Sequence, residues 1–135
     1  MTINEYQKLA LRTEAPKDFY KAPEAVLKAF AMLGAISNPQ KDLSVIRLME
    51  GLMGLNGEAG EALDILKKIL FQGHGIDRNH IALELGDIAW YLALSADAIG
   101  YDLETIMSMN IEKLKARYPN GFETERSVNR EEGDI

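Results

Sequence analysis

Two pairs of carboxylates stand out in this sequence: Glu58-Ala59-Gly60-Glu61 and Glu84-Leu85-Gly86-Asp87. Each pair is spaced i, i+3, which on a helix sets both acids on one side, about 5–6 Å apart at Cβ. A helix end, a glycine turn and a helix start separate the pairs. A hairpin of antiparallel helices would therefore gather four oxygen-bearing side chains. Such a set, without a thiolate, suits a hard divalent ion, Mg²⁺ or Mn²⁺, which takes oxygen ligands and keeps positions open for water and phosphate oxygens. A di-iron carboxylate centre would want Glu-x-x-His on two helices, and neither pair ends in histidine. A plainer reading competes, because Glu-x-x-Glu is common on helices as a solvated face. Spacing alone leaves both open.

Helical phase favours the metal. At about 100° per residue, the second segment places Leu83 and Leu94 on one flank and Ile81, Ile88 and Leu92 on another. Glu84, Asp87 and Tyr91 fall between them, and Leu85 and Trp90 cover much of the rest. This helix is expected to be buried nearly all round. Naked carboxylates there are costly unless paired or bound to a cation. Arg78, Lys67 and Lys68 lie towards the far end of the hairpin, too few and too distant for four acids.

Gly51, Gly54, Gly57 and Gly60 recur every third residue in the first of these helices. Each costs about 1 kcal/mol relative to alanine. Three explanations are open: close approach of a neighbouring helix or subunit, a local break beside the ligand site, or a weaker, kinked helix. Further on, Asn110, Lys113 and Arg117 share one face, followed by Tyr118. A lysine with an arginine can hold successive phosphates. Basic residues near a helix C-terminus are also favoured simply by the macrodipole. His74 lies in a glycine turn and His80 in a first helical turn; neither has a partner at a telling distance, and no chemistry is assigned to them.

The elements that position these residues read as all-α, with no sustained period-two alternation. Thr2-x-x-Glu5 is a capping box opening a short helix that carries Tyr6, Leu9 and Ala10 towards Thr13, and Pro16 stops it. Pro23 suits the first position of a second helix, to about Ile36, and Asn38-Pro39 marks a turn. Asp42 or Ser44 caps a long helix from Val45 to Phe71, closed by Gln72-Gly73-His74-Gly75. Asp77 or Asn79 caps the next, to about Ile99. Asp102 caps the last, through Arg117, before Pro119-Asn120-Gly121. Residues 123–135 read as a polar C-terminal tail, mobile or partner-binding.

With 135 residues the chain is expected to form one domain over 1–122. It has no cysteine, which excludes a disulfide framework, a thiol nucleophile and thiolate metal sites. The net charge of −6 argues against polymeric nucleic acid as a partner. A small anionic ligand is compatible if a cation mediates. Neither a secretory signal nor an eighteen-residue apolar span is visible, so a cytoplasmic protein without membrane association is expected.

Taken together, Glu58-x-x-Glu61, a spacer of 22 residues, Glu84-x-x-Asp87 and Asn110-x-x-Lys113-Leu114-x-x-Arg117-Tyr118-Pro119 resemble the signature of the MazG-like, all-α nucleoside triphosphate pyrophosphohydrolases. The likeness extends from about Val45 to Phe122. It implies a bundle of four to five helices, assembled as a homodimer or homotetramer. It also implies Mg²⁺-dependent hydrolysis of the α–β phosphate link of a nucleoside triphosphate, giving a monophosphate and pyrophosphate. Glu58, Glu61, Glu84 and Asp87 match the family's metal ligands, and Glu61 is the candidate base for the attacking water. Lys113 and Arg117 match phosphate contacts, with Asn110 and Tyr91 near the substrate. One departure is the segment 16–42, which reads as an insertion with an extra helix. The alternatives are a dUTP/dUDP-specific hydrolase on the same fold, and a non-catalytic helical interaction module.

Overall fold

The computed structural model describes residues 1–15 and 44–129. Helix α1 spans Ile3–Ala10 and continues as a 3-10 turn, Leu11–Thr13. The long helices are α2 (Ser44–Gln72) and α3 (Arg78–Ala98); α4 (Leu103–Arg117) and a short α5 (Thr124–Val128) follow. Among the described residues the sole β feature is an isolated bridge between Pro119 and Gly121, so the fold is all-α. The expected insertion at 16–42, with the helix predicted from Pro23 to Ile36, the expected Asn38-Pro39 turn and Asp42 cap, and the end of the tail all fall outside the described residues.

Local chemistry sets the helix ends. Thr2 Oγ1 accepts from the Glu5 amide at 3.1 Å while Glu5 Oε2 accepts from the Thr2 amide at 2.6 Å, a reciprocal cap. Asp77 caps α3 through the amides of Asn79 and His80, both at 3.0 Å. Asp102 caps α4 through Thr105, at 2.7 Å. The chain leaves α2 through Gly73 and α3 through Gly100, at φ of 74° and 78°, the left-handed region where a Cβ is penalised.

The α2–α3 hairpin is the frame, and α1 clasps it. Ala10, Ala93, Ala96 and Leu103 form a small core, with Tyr6, Trp90, Leu92 and Ile106 against it. Trp90 Nε1 donates to the Ala10 carbonyl at 2.9 Å and to Thr13 Oγ1 at 2.7 Å. Gln7 is the buried polar member: it donates to the carbonyls of Ala93 and Tyr101 and accepts from the Leu103 amide at 2.9 Å. Leu9 faces outward, and Gln7 takes an interior place in α1. Its three hydrogen bonds make that burial tolerable. Arg47 closes the other end: its guanidinium binds both Glu14 carboxylate oxygens and reaches Asp97 Oδ2 at 2.7 Å. That ties α1, α2 and α3 together, and both carboxylates hold the guanidinium charged.

One expectation needs correction. Apart from Glu84, the buried residues of helix α3 lie in its C-terminal half, Ala93 to Ala96 and Ala98, whereas Leu83 and Leu85 are 67% and 56% exposed. An apolar helix can read as buried from its sequence when only some of its faces meet a neighbour. Residues 124–128 of the tail are helical, started by an extended Glu123 and followed by Asn129.

Candidate metal centre

The antiparallel register of α2 on α3 determines which side chains meet. Gly51 lies against Ser95 so closely that an added Cβ would overlap Ser95 Oγ and sit 3.2 Å from its amide nitrogen. Three residues on, Gly54 lies against the Tyr91 ring, again with no room for a Cβ. Continuing one turn at a time along α2, and backwards along α3, brings Glu58 to Asp87 and Glu84. The next turns place Glu61, Ile65 and Lys68 around a hollow of about 350 Å³ shared with His80 and Glu84. Nothing within 4 Å would obstruct a Cβ at Gly57 or Gly60. The glycine series therefore divides: the first two members permit helix contact, the last two border open space.

Glu58, Glu84 and Asp87 each offer a carboxylate oxygen within 4.8 Å of the others. Glu84 is buried, at 8% exposure, Glu58 is half-buried and Asp87 is open. Desolvation pushes the Glu58 carboxyl above the usual glutamate range, and the charges of Glu61, Asp87 and Glu84 push it the same way. Three neighbouring acids thus bear on Glu58. Glu58, Glu84 and Asp87 form the tight group, with Glu61 exposed on the rim of the adjoining hollow. Among the described residues no lysine or arginine pairs with Glu58, Glu84 or Asp87. Lys67 and Lys68 are engaged by Asp64 instead, whose carboxyl their hydrogen bonds hold down at about 2. The one basic contact is His80, whose Nε2 lies 3.1 Å from Glu84 Oε1.

Uncompensated carboxylates at this spacing are the donor set a hard divalent ion takes, so the group could bind a metal and its chemistry fits Mg²⁺ or Mn²⁺. Tyr91 adjoins it. Burial and the charges of Glu58, Glu50 and Asp87 make its phenol a weaker acid than usual. Tyr6 closes the α1 side by donating to the Gly86 carbonyl at 3.3 Å.

The basic residues of α4 are placed differently. Helix α4 is anchored at its start, where Leu103 is buried and the Glu104 amide donates to Asn4. From Ile106 to Arg117 is about 16 Å of helix rise. Asn110 and Lys113 are exposed, with no hydrogen bond or ion pair to the carboxylates among the described residues. Arg117 is half-buried, and its carbonyl accepts from Arg126 Nη1 at 3.4 Å. His80, given no role from sequence, is the residue that reasoning missed; its place four before Glu84 was the available signal.

An all-α hairpin whose two arms bring carboxylates together is the class of protein seen here. The family model for the MazG nucleotide pyrophosphohydrolase domain matches residues 48–122. The chain belongs to that family of hydrolases. It is also similar to the Gene 37 protein of Mycobacterium phage L5, at 40% identity over an 81-residue alignment that covers 54% of this chain and 71% of the phage protein. No solved structure matches the chain. Among the described residues no helix is long and apolar enough to cross a membrane.

Proposed function

We propose that the protein is a Mg²⁺-dependent nucleotide pyrophosphohydrolase that cleaves the α–β phosphate bond of nucleoside triphosphates, releasing a monophosphate and pyrophosphate. The supporting observation is the Glu58–Glu84–Asp87 group, three carboxylate oxygens within 4.8 Å with no lysine or arginine among the described residues paired to them. These residues would hold the ion, with Glu61 joining them from the rim of the hollow. When bound, Mg²⁺ (or Mn²⁺) offsets the phosphate charge, polarises phosphate oxygens and acidifies a water.

The remaining work falls to the chain's own side chains. Glu61 is exposed and outside the tight group, so it can accept a proton from the water that attacks the α-phosphorus. The bond from that phosphorus to the bridging oxygen breaks, and pyrophosphate leaves. Tyr91, packed over Gly54, borders the substrate. Lys113 and Arg117, with Asn110, stabilise the leaving pyrophosphate. No covalent intermediate on the enzyme is required.

The chain works as a homodimer or homotetramer in the cytoplasm, on small nucleotides rather than polymeric nucleic acid or membranes. Exposed Leu63, Leu66, Leu70 and Phe71 on α2 and Met109 and Ile111 on α4 are the apolar surface such an assembly would cover. A panel of ribo- and deoxyribonucleoside triphosphates with Mg²⁺, reading monophosphate and pyrophosphate separately, tests the activity. Turnover confined to uracil nucleotides would instead support a dUTP/dUDP hydrolase. A Glu84→Gln/Asp87→Asn double variant that stays active would defeat the assignment of these carboxylates, whereas a wild-type chain that turns over none of the panel would leave a helical interaction module.

A further inference from the structure

We propose that His80 is a positioning residue that holds the Glu84 carboxylate in the orientation that completes the acidic group; this rests on the metal reading above. Glu84 is the buried member of the group, and its neighbours Glu58 and Asp87 are both carboxylates. A glutamate has several rotatable bonds, and two like charges within 4.8 Å favour turning its carboxylate away before an ion arrives. A positively polarised group on the opposite side counters that tendency. Among the described residues, His80 Nε2, at 3.1 Å, is the basic contact Glu84 has.

The placement of His80 is itself fixed. Its amide donates to Asp77 Oδ1 at 3.0 Å, so the N-cap of α3 pins the turn that carries the imidazole. Four residues later, on the same face, stands Glu84. Lys68 does not substitute, since it borders the same hollow but is paired with Asp64 at 2.8 Å. At 3.1 Å the oxygen is within reach of a proton on Nε2, which the neutral Nε2–H tautomer and the imidazolium both carry. Metal-ligating carboxylates are ordinarily oriented by such outer partners, and losing one typically costs 10–100-fold in metal affinity or activity.

The test is Mn²⁺ binding to the full chain without nucleotide, measured by calorimetry, alongside the metal dependence of turnover. His80→Ala is expected to weaken Mn²⁺ binding by about 10–100-fold. The metal concentration for half-maximal rate should rise with it, while kcat at saturating metal stays within a few-fold. His80 is exposed, so the variant should keep its melting temperature. His80→Gln, which retains an N–H donor, should recover most of the affinity. Unchanged binding in His80→Ala, or no recovery in His80→Gln, overturns the proposal while leaving the metal reading intact. Absence of Mn²⁺ binding in the wild-type chain sinks the metal reading and this inference with it.

Discussion

Alanine substitutions along the glycine series test the register that delivers Glu58 to its partners. A regular helix gains about 1 kcal/mol from each Gly→Ala exchange. At Gly57 and Gly60 nothing stands within 4 Å of the added methyl, so that gain should appear as stabilisation of about 1 kcal/mol. At Gly51 the methyl must displace Ser95 Oγ, which donates to the Tyr91 carbonyl at 2.9 Å. Losing that bond costs about 1 kcal/mol. The Ser95 amide nitrogen and Cα, at 3.2 and 3.3 Å, must also retreat by a few tenths of an ångström. Overpacking of this kind costs about 1–3 kcal/mol. Gly51→Ala should therefore destabilise by about 2 kcal/mol net, and Gly54→Ala, which must turn the whole Tyr91 ring, by about 1. One kcal/mol moves the melting temperature of a chain this size by roughly 3–5 °C, which separates Gly51→Ala from Gly57→Ala by about 10 °C. Thermal melts of the four single variants measure it. Equal destabilisation at Gly51 and Gly57 would refute the argument, since α2 would then be covered where it is described as open.

Three other outcomes follow from named contacts. The folded Glu58 carboxyl binds its proton more tightly than the unfolded one, so its ionisation destabilises the metal-free protein. That loss is present at neutral pH and is recovered as pH falls through the raised range. Glu58→Gln should hence melt higher than wild type in EDTA at pH 7, lose that advantage below the ordinary glutamate range, and gain less from added Mg²⁺; a lower melting temperature in EDTA would contradict this. Arg47→Ala removes the charge-assisted hydrogen bonds to Glu14 and Asp97 and should cost about 2 kcal/mol in urea unfolding. Gln7→Leu strands the buried Leu103 amide and should cost about 2–3 kcal/mol by the same measurement, more than Leu9→Ala on the exposed side of the same helix.

What was legible in the sequence was what acts over one or two turns. The caps at Thr2, Asp77 and Asp102, and the glycines that end α2 and α3, are determined by neighbours a few residues away. The facing of Glu84, Asp87 and Tyr91 follows from helical phase, and the structure keeps all three towards α2. Contacts between elements were harder to foresee. Nothing local marks Gln7 as interior and Leu9 as exterior, because the carbonyls that make Gln7 acceptable belong to residues 93 and 101. Arg47 looks like any surface arginine until Glu14 and Asp97 arrive from two other elements. The exposure of Leu83 and Leu85 is illegible for the same reason, since hydropathy reports what a face prefers and not whether a neighbour is present.

The glycines and the acids are parts of one arrangement. An α-helix advances about 5.4 Å per turn, so a slip of α2 by a single turn would carry Glu58 past Glu84 and Asp87 and leave three carboxylates without a common focus. Bulkier residues at positions 51 and 54 would force the helices apart or past one another. Small residues there let the backbones approach until Ser95 and Tyr91 stop them, which fixes both the spacing and the register. Desolvation of Glu58 and, after it, the charge repulsion in the acidic group work against that approach, and both raise its carboxyl. The apolar core of α1, α3 and α4 and the Arg47 clamp lie at the opposite end of the hairpin and offset the repulsion from there. Stability and site thus occupy different ends of the same two helices, so a cation that neutralises the acids should stiffen the half of the hairpin that the core leaves uncovered.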